Sequence, residues 1–389
     1  MNAVSLDPTA LLAEAAEVAG SDDFGDVAFR EPLERLCAAL DREANLNTTG
    51  RAAQRDRVLN ILVTRARTEA YFSRHPEILD EEIVAPVVIV GLPRSGTTML
   101  HRVIAEDPGF DSAKWFECRF PAPPTDWDWT SPDPRRAAAH QELAQMLEFV
   151  PELASVHPFD PEGPDEEIML MEQAFQSRTA ESFADMPEFS HWLEGRDQRP
   201  GYAYLKRMIQ FLQWQHRRLG TNRERWVLKT PEHLAHMEQL VEVFPDASVV
   251  QTHRDPIEAI PSIASMVNHL WEMGADVPDP HSAGRQWSRN FAIGLKATLE
   301  FRDKGHADRF VDIWFQDSVR NPLDSVEKVY AFLDRPLTPI AEDKMRKWTE
   351  DNAREKRPPH EYTLEKFGLT EEGIARDFSE YRERHILSR

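Results

Sequence analysis

Residues 87–98 read Val87-Val88-Ile89-Val90-Gly91-Leu92-Pro93-Arg94-Ser95-Gly96-Thr97-Thr98. A short β-branched run ends in a glycine, a loop with a second glycine follows, and a helix-compatible run begins at Met99. Strand, tight turn and helix start in that order build an anion cradle from backbone N–H groups and the helix dipole. The spacing Gly91-x4-Gly96 is that of a Walker loop, but Thr97 stands where Walker chemistry requires lysine. The cation sits inside the loop instead, as Arg94. This predicts a phosphate-like ligand and argues against ordinary ATP or GTP hydrolysis.

Outward from this loop, the spacing of apolar residues predicts helices over 10–18, 32–44 and 51–72, and then a strong strand at 84–90. Residues 111–134, broken by prolines and by Trp115, Trp127 and Trp129, read as a long irregular segment of the kind that is usually functional or a lid. Helices are expected at 135–149, 165–175 and 202–219, with a proline-rich loop at 151–164. Strands then alternate with helices: 226–228 with 231–244, 247–252 with 256–270, and 310–315 with 322–333. That alternation predicts an α/β fold, a parallel sheet flanked by helices. The expected organisation is an N-terminal helical segment, 1–80, packed on an α/β domain, 81–389. A mostly helical insertion at about 111–220 forms one wall of the site. Ligands of open α/β sheets lie beyond the carboxyl ends of the strands, so the loops after Val90, Leu228, Thr252 and Phe315 should converge.

Composition bounds the function. The chain has 389 residues, 41% apolar and 29% charged, enough for a large core. A formal net charge of −21 argues against a nucleic-acid partner and requires any anionic ligand to be held by a local basic pocket. Two cysteines, Cys37 and Cys118, imply no disulfide framework. The N-terminus lacks the basic region of a secretory signal, and no run approaches the roughly 18 apolar residues of a membrane span. A cytoplasmic location is the simplest expectation, and homo-oligomerisation is left open.

Three strand ends carry a feature suited to anions. The first is Arg94 to Thr98. The second is Lys229, with Pro231 suited to a first helical turn. The third is His253-Arg254-Asp255-Pro256, with Ser262 eight residues after Arg254. Each has an ordinary reading, a solvated lysine or a helix start capped by Asp255; together they point to one site. His233-x-x-His236 lacks a third ligand at recognisable spacing, so no metal is expected.

These residues carry a resemblance. Pro93 to Thr98 is similar to the first signature of the sulfotransferases that use 3′-phosphoadenosine 5′-phosphosulfate (PAPS), a family that resembles nucleotide kinases in its P-loop-like fold. Arg254 and Ser262 match the second signature. Leu228 to Leu234, Phe244 to Ala247 and His253 to Pro256 resemble the stretches between them in the bacterial branch. The resemblance covers about residues 86–387 and implies transfer of a sulfuryl group from PAPS to the hydroxyl of a small-molecule acceptor.

It also implies roles. Pro93, Arg94, Ser95, Gly96, Thr97 and Thr98 would hold the 5′-phosphosulfate, Lys229 the leaving side, and Arg254 with Ser262 the 3′-phosphate. Glu117 matches the family's base; Glu166, Glu167 and His101 are its rivals. Residues 357–362 fall where a loop over the cofactor is common, although its glycine is missing here. Trp314 is a candidate for stacking on adenine. The aromatic residues at 115–129 suggest an apolar acceptor such as a lipid, steroid, polyketide or phenol. A phosphotransferase or NTPase and a non-catalytic sulfonucleotide-binding protein are the alternatives.

Overall fold

The computed structural model describes residues 4–149, 159–352 and 363–389. Five parallel strands form one sheet: β1 (Val87–Gly91), β2 (Phe110–Asp111), β3 (Arg225–Lys229), β4 (Ser248–His253) and β5 (Phe310–Trp314). Their order is β2-β3-β1-β4-β5. β1 lies at the centre, with Val87 opposite Val227 on one side and Ser248 on the other. All five residues of β1 are buried, which explains its unbroken apolar run: a parallel strand covered on both faces needs no polar alternation.

Successive side chains still point to opposite faces. Val87 and Ile89 pack with Leu100, Val103, Val326 and Val329 on one side. Val88 and Val90 join a larger core with Leu205, Phe211 and Trp271 on the other.

Most of the expected helices are present, but those at 187–194, 280–301, 339–351, 371–377 and 379–385 were not expected, and the one expected at 165–175 is reduced to 168–171 and a 3₁₀ turn at 172–174. The first three are α1 (Pro8–Ala19), α2 (Arg30–Arg42) and α3 (Thr48–Arg74); α4 (Thr97–Ile104) follows the β1 loop. The insertion holds α5 (Trp115–Arg119), α6 (Pro134–Phe149), α7 (Ile168–Met171), α8 (Pro187–Glu194) and α9 (Arg199–Leu219). Beyond β3 come a 3₁₀ turn (Pro231–Ala235), α10 (Met237–Val243), α11 (Pro256–Glu272), α12 (Pro280–Phe301), α13 (Phe315–Arg320), α14 (Pro322–Phe332) and α15 (Pro339–Asp351). The chain closes with α16 (Glu371–Asp377) and α17 (Ser379–His385).

Several expectations change. Residues 115–119 are helical rather than loop, and Phe315 begins α13 rather than ending β5. The single helix expected at 231–244 is a 3₁₀ turn followed by α10. The N-terminal helices do more than cover the core. Leu11, Leu33, Leu40 and Leu62 share one apolar cluster with Phe175, Met186 and Phe189 of the insertion. No helix among the described residues is long and apolar enough to cross a membrane.

Candidate active site

The β1 loop is held by its own side chains. Gly91 has φ of 151°, and a Cβ there would strike Thr252 Oγ1. Ser95 Oγ donates to Leu92 O at 2.5 Å and lies 2.6 Å from Thr252 Oγ1, so the loop is tied to β4 from beneath. Ser95 is buried away from the cavity. Gly96 caps α4 in the left-handed region (φ 91°), where a side chain would press on Phe315. Arg94 adopts φ of 70° without being glycine. Such a conformation persists only where the surroundings over-determine it, and it marks sites more often than scaffold.

α4 starts at Thr97 with its N-terminal amides and positive dipole end at the loop. A glycine-bounded loop running into a helix start has the form of an anion cradle suited to a phosphate or sulfate group.

The other two strand ends meet it as expected. Arg254, after β4, donates from Nη1 to Arg94 O at 2.8 Å and stacks its guanidinium over Phe315 at 4.4 Å. Asp255 caps α11 by accepting from Ile257 N at 3.1 Å, and Ser262 lies on that helix. Lys229 is the last residue of β3 rather than the one after it, and it is buried. Its Nζ pairs with Glu166 and lies 3.3 Å from Thr98 Oγ1.

Pro93, Arg94, Gly96, Thr97, Thr98, Arg254 and Ser262 all line one cavity of about 1380 Å³. Pockets for a single small ligand are typically about 300–1,000 Å³, so two reactants have room.

Glu117 is elsewhere. It is buried on α5, Oε1 2.6 Å from His216 Nε2 and Oε2 accepting from Lys114 N at 2.8 Å. His216 Nδ1 in turn lies 2.9 Å from Asp111 Oδ2. Burial alone would raise the Glu117 carboxyl, but the charge and hydrogen bond of His216 outweigh it and hold the value at about 2. Burial likewise opposes charge on His216, yet the carboxylates of Glu117 and Asp111 push it up to about 10. Glu117 thus belongs to a buried ionic triad, and the cavity lining does not include it.

Of its rivals, Glu167 is buried, accepting from Lys229 N at 2.8 Å and facing His233 Nε2 at 2.9 Å. His101 is buried against Val227 O at 3.3 Å, with burial and the Lys229 charge holding its pKa well down. Glu166 alone of the four lines the cavity.

Trp314 is packing: its Nε1 donates to His385 O at 2.7 Å, and Arg389 covers the ring at 4.1 Å. Its neighbour Phe315 faces the cavity instead. Residues 357–362 lie outside the described residues.

Sequence reading missed the far wall. Ala53, Asp56, Arg57, Asn60, Ile61 and Thr64 of α3 form a stripe along the cavity. Their three- and four-residue spacing was legible, but a stripe of mixed polarity reads as solvated surface. Arg57 pairs with Glu172 at 2.9 Å and stacks over Phe183 at 4.8 Å. The remaining lining is rich in Met169, Phe183, Met266, Trp287 and Phe291.

His253, Asp312 and His385 cluster closely enough to hold a metal. However, the Arg302 guanidinium already lies 2.6 Å from Asp312 Oδ1, which opposes a cation there. His233, the other histidine considered, has both ring nitrogens engaged, by Tyr202 and Glu167.

A central parallel strand ending in a phosphate-type loop, with cations at the neighbouring strand ends, defines a P-loop-like group-transfer fold. The model of the sulfotransferase family matches residues 86–339, and the chain belongs to that family. Membership implies a sulfonucleotide donor.

The chain is 28% identical to the sulfotransferase STF9 of Mycobacterium avium, covering 99% of this chain and 97% of that one with a TM-score of 0.88. It is 28% identical to STF1 of Mycobacterium tuberculosis H37Rv, covering 98% and 100% with a TM-score of 0.84. Among curated relatives it is 22% identical to the omega-hydroxy-beta-dihydromenaquinone-9 sulfotransferase Stf3 of Mycobacterium tuberculosis over 299 residues, 75% of this chain and 74% of the relative.

Proposed function

We propose that this sulfotransferase moves the sulfuryl group of PAPS to a hydroxyl of an apolar, lipid-like acceptor. The observation that carries the reading is the meeting, in one cavity, of the β1 anion cradle with a second anion grip at Arg254 and Ser262. Anion-suited groups at two strand ends in one cavity suit a nucleotide bearing a 3′-phosphate as well as a 5′-group, and arginine suits the bidentate contact. The lining of Met, Phe and Trp beyond them supports an apolar acceptor that adapts to soft side chains. The name of the Stf3 relative, which gives an omega-hydroxylated dihydromenaquinone, supports the same class.

In this reading the bond between sulfur and the donor's phosphate oxygen breaks while sulfur bonds to the acceptor oxygen. The acceptor's proton passes to Glu166. Arg94 and the α4 amides stabilise charge on the departing phosphate. Lys229 holds the Glu166 carboxylate and places its own charge beside Thr98.

Calorimetric titration with adenosine 3′,5′-bisphosphate, ADP and AMP tests the donor. Tighter binding of the 3′-phosphorylated nucleotide, lost in Arg254→Ala, is the expected result. Equal affinities for nucleotides with and without the 3′-phosphate overturn the reading.

A further inference from the structure

The turn that carries Arg254 is gripped from outside the family-matched span. That span ends at residue 339, whereas α17 occupies Ser379–His385. From this helix Arg382 reaches the Asp255 carboxylate with both Nε and Nη2, each at 3.0 Å. Tyr381, buried, places its hydroxyl 3.0 Å from His253 Nδ1. His385 stacks on the His253 ring with centroids 4.3 Å apart and planes 11° off parallel. His253 is fixed on its other side by Asp312 at 2.8 Å, and Asp312 by Arg302.

The two residues flanking Arg254 are therefore each held by α17, while Arg254 itself reaches across to Arg94 O. Tyr381 also joins the main apolar core, but covering the sheet edge does not require a two-pronged ion pair into the capping residue of α11. The pair does a second thing. Asp255 already accepts from Ile257 N at the start of α11, and Arg382 adds a full opposite charge to a carboxylate that lies next to a site for an anion.

We propose that α17 is a positioning clamp for the donor's 3′-phosphate grip, acting through Asp255 and His253 on Arg254; Arg382 and Tyr381 are its positioning residues. This rests on the reading of Arg254 given above.

The test is titration of the full chain with adenosine 3′,5′-bisphosphate and, in parallel, with AMP. In Arg382→Ala the bisphosphate should weaken roughly tenfold, the loss expected when a charged hydrogen-bonded contact is misplaced, with AMP affinity unchanged. Arg382→Lys, which restores the charge but not the fork, should recover part of the loss. Tyr381→Phe removes one hydroxyl with little risk to folding and should lower the same ratio by a smaller factor.

Equal weakening of both nucleotides would reduce α17 to a structural support and overturn the clamp. So would a wild-type ratio in both Arg382→Ala and Tyr381→Phe while Arg254→Ala loses it. A wild-type protein with no preference for the 3′-phosphate, or an Arg254→Ala protein that keeps it, defeats the donor-site reading first and the clamp with it.

Discussion

Glu166 and Glu117 separate two things that a carboxylate can do. Glu166 reaches the cavity and pairs with Lys229; Glu117 is sealed between His216 and the Lys114 amide. Glu166→Gln should lower turnover by about 10²–10⁴-fold, the usual contribution of a base, with bisphosphate affinity unchanged, as steady-state rates and calorimetry would report. Glu117→Gln should instead cost stability, because breaking a buried pair by removing one partner costs about 3–5 kcal/mol.

The triad also fixes a pH signature. His216 is raised from 6.5 to about 10, so its contribution is complete below pH 6.5 and is lost as pH rises through 10. Glu117 is lowered from 4.5 to about 2, so its share is complete above pH 4.5 and is lost as pH falls through 2. Thermal melting from pH 6.5 to 10 should show a decline in wild type that His216→Gln flattens; parallel slopes would refute the assignment. No reading of residues 111–120 could have found this, since the partner histidine lies 99 residues from Glu117 along the chain. A short helix reveals nothing of which way its glutamate faces.

At the scale of elements, β1 was legible because a strand buried on both faces can be wholly apolar, and β3 and β4 because the short apolar runs 226–228 and 249–250 alternate with helical stretches, although β4 also buries Gln251, Thr252 and His253. β2, with two residues, has no pattern to read. α12 went unread because Gly284, Gly294 and its polar residues dilute the helical period, although tertiary packing secures it. The cradle was legible because its conformation demands particular residues. At Gly96 the left-handed backbone alone disfavours any side chain by about 1–2 kcal/mol, and the Phe315 ring adds a contact. Gly96→Ala should therefore lower the melting temperature and weaken nucleotide binding together, a coupling that thermal shift with and without the bisphosphate would register. On the proposed reading the α3 wall faces the acceptor, and it should behave oppositely. Ile61→Trp, which fills the cavity from that side, should raise KM for the acceptor several-fold while leaving bisphosphate binding intact; a donor-side defect would argue against the wall's role.

The whole molecule carries a formal charge of −21, yet the proposed donor is itself a polyanion. The attraction is local, built from Arg94, Arg254 and a helix terminus inside a cavity, while the repulsion is spread over the surface. Salt screens the second more than the first, since the Debye length shrinks from about 30 Å at 0.01 M to about 8 Å at 0.15 M. Stopped-flow association of the bisphosphate should therefore quicken with added salt over that range, the reverse of what a globally steered anion shows. A rate that falls from the first addition would mean that the cavity's field extends beyond its mouth.

The wall formed by α3 carries a lesson about divergence. On the proposed reading, donor recognition is written into strand ends, where a single substitution disturbs the sheet, the loop and the next helix together. Acceptor recognition is written along the N-terminal half of α3, whose Val58, Ile61 and Leu62 pack in a separate apolar cluster, and residues 56, 57 and 60 lie outside the cluster that holds Val88 and Val90 of β1. Descendants of such a chain can change what they modify long before they change what they modify it with.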